Sequence, residues 1–130
     1  MRRITTRVTN DRGAASVELS VIAIVVLLLV FSALQVGLWF HARDVARSAA
    51  RQGVEQGRQT GSSPAEAVAQ AEDFLAKFGG SVKAPSVSSD GSTAEQIRIT
   101  VRGNVATLIP GLTLSVSQHV DAPVERWTNP

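Results

Sequence analysis

From residue 19 to residue 40 the chain carries no formal charge, and 15 of these 22 residues are Leu, Ile, Val or Phe. No other stretch so limits what the chain can become. Each such side chain contributes about −0.3 to −0.6 kcal/mol on the membrane-insertion scale, which outweighs the modest costs of Ser20, Ser32, Gln35 and Gly37. At about 1.5 Å per residue the run is ~33 Å long, enough for a hydrocarbon core of ~30 Å. As a soluble core helix it would need cover on every side from the 90 residues that follow, too few for the task. The run therefore predicts a transmembrane helix, with Trp39 and Phe40 as an interfacial aromatic anchor. A cleaved secretory signal fits poorly, because its apolar region spans about 7–15 residues and precedes a small-x-small site. Here the run leads into GLWFHARD, and the small residues Gly13, Ala14, Ala15 and Ser16 stand before it.

Charge separates the flanks from the remainder. The pI near 9.9 suggests a nucleic-acid partner until the charges are mapped. Residues 41–130 hold nine Lys or Arg and nine Asp or Glu, so the part that could fold is neutral. The excess comes from Arg2, Arg3, Arg7 and Arg12, with no basic footprint on a folded domain, which argues against nucleic acid. An arginine-rich flank ahead of an apolar run places the N terminus on the cytoplasmic side. Residues 1–12 are polar, without apolar period, and predict a disordered leader.

Beyond the run, residues 41–59 keep a helical period, with Val45, Ala46, Ala49, Gly53 and Val54 as a small-residue stripe. The stripe predicts packing onto the chain's own domain, or else close contact with neighbouring subunits. Ser63 as N-cap, Pro64 at the first helical position and Glu66 three after the cap announce a second helix. Its expected apolar face is Val68, Ala71, Leu75 and Phe78, and Gly79-Gly80 ends it. The period then changes to two. Residues 82–88 predict a weak strand with Pro85 at an edge or bulge. Ile97, Ile99 and Val101 alternate with polar neighbours in a second strand, and Leu112, Leu114 and Val116 in a third. Turns are expected at residues 88–92 and at Pro110-Gly111. The tail from Asp121 reads as irregular, with Trp127 covering an edge of the core. The fold class is α+β: a long N-terminal transmembrane helix extending into a small domain with a second helix and a three-stranded antiparallel meander. The expected divisions are a leader over 1–13, a long helix over 14–59 spanning the membrane at 19–40, and an extracytoplasmic domain over 60–130.

Enzyme chemistry is not written in the sequence. With no cysteine, neither disulfides nor thiolate metal sites are available. GNVATLIPG lacks the lysine and spacing of a phosphate loop, and His41 and His119 stand 78 positions apart. Asp121 and Glu125 read as solvated carboxylates, and His119 as a surface residue. No catalytic residue, metal ligand, cofactor or small-molecule substrate is predicted. The informative stretch is Arg12-Gly13-Ala14-Ala15-Ser16-Val17-Glu18-Leu19. A carboxylate at the edge of an apolar helix is costly unless neutralised or paired. Spacing alone leaves Glu18 open between a headgroup position, helped by the helix dipole, and a specific pairing.

A basic leader, a glycine, four small or apolar residues, a glutamate and a transmembrane run together resemble the N terminus of class III (type IV) prepilins. The whole layout is similar to the TadE-like pseudopilins of the tight-adherence (Flp) pilus, and RITVRGNVATLIPGLTLSVSQHVDAPVERW to the β-rich end of their actinobacterial members. Leu19, where many Flp-type pilins carry an aromatic residue, and Val25, near where many TadE-like proteins carry proline, depart from the pattern. The resemblance implies cleavage between Gly13 and Ala14 by a membrane-embedded prepilin peptidase, and pairing of Glu18 with the new α-amine of an adjacent subunit. The implied partners are that peptidase, other pilin or pseudopilin subunits, membrane assembly proteins and lipid. The implied function is that of a minor pilin or pseudopilin. The alternative is a single-pass membrane sensor or binding protein whose leader is never cut.

Overall fold

A computed structural model describes residues 11–127; the expected leader falls outside it except at its last three positions. The order of elements is α1 (Asp11–Gly57), α2 (Pro64–Phe78), β1 (Val82–Ser88), β2 (Gln96–Val105) and β3 (Leu114–Pro123). The chain divides into two units, residues up to Leu34 and residues from Gln35 onward.

The first unit is the helical stretch through Leu34. Its side chains are exposed on every face, Leu19 at 68% and Val30 at 50% among them. Helices that are apolar all round belong in a core or a membrane. Two polar side chains inside it are turned back on the helix. Ser20 Oγ donates to the Ser16 carbonyl at 2.8 Å and Ser32 Oγ to the Leu28 carbonyl at 2.7 Å. Among the described residues, α1 is the helix long and apolar enough to cross a membrane.

The second unit is a helix-on-sheet domain, α+β as expected. The strands form an antiparallel sheet in the order β1-β2-β3. Ile97, Ile99, Val101 and Val105 of β2 face inward and are buried. They meet the stripe on α1, which comprises Ala42, Ala46, Ala49, Ala50, Gly53, Val54 and Gly57, with Val45 half-buried beside it. The stripe therefore packs on the chain's own domain. Gly57 lies against Ile97, and Gly53 against Ile99 and Ala71. Four helical residues rise about 6 Å and two strand residues about 6.6 Å, so successive contacts stay matched as α1 and β2 run antiparallel.

Helix α2 begins as its sequence dictates. The Glu66 N–H donates to Ser63 Oγ at 3.3 Å, and Glu66 Oε2 accepts from the Ser63 N–H at 2.8 Å and from Ser62 Oγ at 2.9 Å. The Ser63 backbone N–H, then the Ser62 hydroxyl, hold the Glu66 carboxyl below the usual carboxylate range. The buried face is Ala67, Ala71 and Leu75, with Val68 and Phe74 half-buried. Phe78 departs from expectation: its ring lies tilted beside Phe74 at 5.0 Å between centroids and remains 62% exposed. The small side chains of Ala67 and Ala71, rather than a large apolar stripe, let α2 approach Gly53 and Gly57.

β1 carries the irregularity that Pro85 foretold. The register with β2 slips between Lys83 and Ser86, and Ala84 takes a left-handed φ of 46°. Opposite the bulge, a Cβ on Gly103 would collide with Val82 and lie 3.1 Å from the Lys83 carbonyl oxygen, so this position needs glycine. The third strand starts at Leu114, leaving Leu112 in the preceding turn, and runs further than expected. Asp121, Ala122 and Pro123, assigned above to an irregular tail, pair with Arg98, Ile97 and Gln96.

Trp127 does not cover the core; it is 87% exposed. The tail is pinned ahead of it instead. The Glu125 N–H donates to the Arg58 carbonyl at 2.9 Å, Glu125 and Arg58 pair at 3.3 Å, and Arg126 pairs with Glu95 at 3.0 Å.

The Gly53 contact yields a test. A Cβ there would sit 2.7 Å from the Ala67 carbonyl oxygen, a backbone atom that cannot rotate away. Gly53→Ala is expected to destabilise the unit by about 1–3 kcal/mol, despite a helix-propensity gain of up to ~1 kcal/mol. Thermal unfolding of the detergent-solubilised chain measures it.

Candidate functional site

Helix α1 is already formed at Asp11, the first described residue and earlier than periodicity predicts, so Gly13 and Ala14 lie within it. Gly13 and Ala14 are both exposed.

Gly13 differs from Gly53, Gly57 and Gly103 and stands, like Gly37 and Gly80, in open space. A Cβ there would meet no heavy atom within 4 Å, and its φ is not positive. Gly53, Gly57 and Gly103 are each required by a neighbouring backbone or side chain. No neighbour among the described residues requires glycine at position 13.

Glu18 follows Ala14 by four residues, which places the two on one helical face. It is exposed and forms no ion pair with the described residues. The structure thus brings Gly13, Ala14 and Glu18 within two turns of a single helix, in the last polar turns before the apolar run.

Gln35 is a residue whose role periodicity does not reveal. By composition it is a small insertion cost within the run; in the fold it is a buried polar side chain, 4% exposed. Its Nε2 donates to the Ala106 carbonyl at 3.2 Å, and its Oε1 accepts from the Leu108 N–H at 2.8 Å. One amide therefore serves a donor and an acceptor in the turn after β2. A glutamine inside an apolar run is a signal that something nearby needs both functions.

Elsewhere the domain offers little chemistry. Among the described residues, no group of three or more His, Asp or Glu could hold a metal ion. A cavity of about 270 Å³ on the outer sheet face is lined by Ser86, Arg102, Asn104, Ser115 and Ser117 among others, and its lining includes no histidine or carboxylate. His119 is exposed, as expected.

The Gln35 bridge is testable. Gln35→Leu keeps the volume but removes both bonds, each contributing about 1 kcal/mol. Amide exchange at Leu108 is expected to quicken by roughly tenfold or more, since ~1.4 kcal/mol is a factor of ten. Hydrogen-exchange mass spectrometry of the solubilised chain measures it.

Comparison with known proteins adds one positive finding. Residues 13–55 match the model of the family described as TadE-like protein. The match begins at Gly13 and takes in Glu18, the apolar run and most of the small-residue stripe. It stops before the sheet, so the likeness read above in residues 98–127 lies beyond it. No curated protein matches the chain, and no solved structure does.

Proposed function

We propose that this chain is a minor pilin or pseudopilin that helps assemble a Flp-type (tight-adherence) pilus or a related secretion system. The TadE-like match implies a role related to that pilus. The observation that carries the finer reading is Gly13, a glycine that none of the described residues requires, placed five residues ahead of Glu18 and just before the apolar run.

In this reading α1 anchors the chain in the bacterial cell membrane, with Arg2, Arg3, Arg7 and Arg12 in the cytoplasm and the sheet domain outside. A prepilin peptidase cuts between Gly13 and Ala14. The cut requires the helical backbone at Gly13 and Ala14 to unwind into an extended strand. Glycine presents that strand without a side chain. Cleavage removes four arginines and Asp11, taking the formal charge from +2 to −1.

The new α-amine at Ala14 has a pKa of about 7.7–8.0 and is largely protonated at neutral pH. Glu18 on a neighbouring subunit supplies its counter-charge. Neither group is cheap near hydrocarbon alone; together they offset each other and fix the axial register of two helices.

Two tests follow. N-terminal sequencing of the membrane-purified protein is expected to begin at Ala14, and Gly13→Leu to leave the leader attached; an intact Met1 in the wild-type chain would instead describe an uncut single-pass sensor or anchor. Glu18→Val is expected to be inserted and processed normally but to co-purify poorly with its neighbouring subunits. Normal co-purification of that variant would rule out the pairing.

A further inference from the structure

Charge is distributed unevenly over the second unit. Residues 103–118 contain no Asp, Glu, Lys or Arg, although residues 41–130 hold nine acids and nine bases. The pairs Arg58–Glu55, Arg58–Glu125 and Arg126–Glu95 gather at the end where Gly57 meets Ile97. The opposite end, where Gln35 meets Ala106 and Leu108, is uncharged.

At that end residues 106–113 connect β2 to β3 and read ATLIPGLT, of which 106–112 form the turn. Connections of this kind normally carry Asn, Asp or Ser; this one is apolar. Leu108 is 45% exposed, and Ile109 and Leu112 are half-buried. The turn is nonetheless well braced. Pro110 and Gly111 occupy its two central positions, Gly111 has φ 80°, and the Leu112 N–H donates to the Ile109 carbonyl at 3.2 Å. That is type II turn chemistry. Its base is held by the two Gln35 bonds.

Gln35 also belongs to the apolar run, and its neighbours Val36 and Phe40 are exposed. Trp39 Nε1 donates to the Ser115 carbonyl at 3.3 Å, and the Arg43 guanidinium carbon lies 5.7 Å from the centre of the Trp39 ring. An indole with its N–H engaged and an arginine over its face belong to the boundary between hydrocarbon and headgroups. Hydrogen bonds from Gln35 and Trp39 thus tie the apolar turn and the start of β3 to the end of the apolar run.

We infer that the 106–112 turn is a second membrane contact, seating Leu108 and Ile109 in the outer interfacial layer of the bilayer beside α1. This rests on the reading of α1 as a membrane anchor. The depth is bounded on both sides. Irregular backbone facing lipid cannot enter the hydrocarbon core, because its polar groups would lose water. The Gln35 and Ile109–Leu112 bonds satisfy part of the turn, and interfacial water satisfies the remainder. The nearest charges in the strand ladder are cations, Arg102 and Lys83, the latter opposite Asn104, and lipid phosphates accept both. A single helix leaves a domain free to spin about its axis. A second contact fixes which face of the sheet looks along the membrane and which looks away.

The chain contains no cysteine, so single substitutions carry a label cleanly. The full chain is labelled with an environment-sensitive nitrobenzoxadiazole at Leu108→Cys, Thr107→Cys, Val30→Cys or Asp90→Cys. Each is reconstituted into phosphatidylethanolamine–phosphatidylglycerol vesicles. All four positions are exposed, so none of these changes removes core packing. Labels at 30, 107 and 108 are expected to lose emission to doxyl-labelled lipid and to resist aqueous iodide, and the label at 90 to do the reverse. Quenching by lipid at 30 but not at 107 or 108 overturns the second contact and leaves the anchor standing. No lipid quenching at 30 overturns both. Shielding of 107 and 108 from both quenchers means that protein covers the turn, which overturns lipid as its occupant.

Discussion

Everything in the folded unit depends on how closely α1 can approach the sheet. The stripe of alanines and glycines removes side-chain bulk from one face of the helix, so its backbone lies against Ile97 and Ile99 of β2 and against Ala67 and Ala71 of α2. The largest fully buried side chains are only Ile99, Val54 and Val101. A core so thin buries modest apolar area for each residue ordered, and no disulfide supports it. Fit therefore carries more of the stability than bulk does. The reciprocal Ser63–Glu66 cap, the Arg58–Glu125 clasp and the glycine opposite the β1 bulge serve the same end, holding elements in position where side-chain volume is scarce.

The parts of the fold set by local chemistry were readable in the sequence. Ser63, Pro64 and Glu66 announce a helix start by themselves, and the alternation around Ile97, Ile99 and Val101 assigns a buried face. Pro85 marks a bulge because it cannot donate to a ladder. The misses share a different cause. Phe78 and Trp127 are large and apolar, and residue type alone suggests burial. Their exposure follows from contacts made by others: alanines that settle the seat of α2, and backbone bonds at Glu125 that fix the tail before Trp127 is reached. The extension of β3 past His119 depends in the same way on partners in β2, which no local pattern of DAP reveals.

The candidate site was legible to a different degree. Gly13, Ala14 and Glu18 stand out as a pattern, and the chemistry proposed for them involves other molecules. The structure supplies a contrast among glycines, since those at 53, 57 and 103 answer to packing and the one at 13 does not. Gln35 is the reverse case. Its amide is plain in the sequence, but its purpose lies 71 residues away at Ala106. Long-range polar bridges of this kind leave no periodic trace.

The bulge in β1 has a consequence for what copies of this chain can do to one another. An edge strand with a regular row of free N–H and C=O groups invites another strand to add to it. β1 is such an edge, but Pro85 lacks an N–H, Ala84 turns the backbone into the left-handed region, and Lys83 adds a charge beside them. Strand addition along that border is blocked at its middle. A crowded population of these domains is thus protected along the β1 border from sticking together through its sheets.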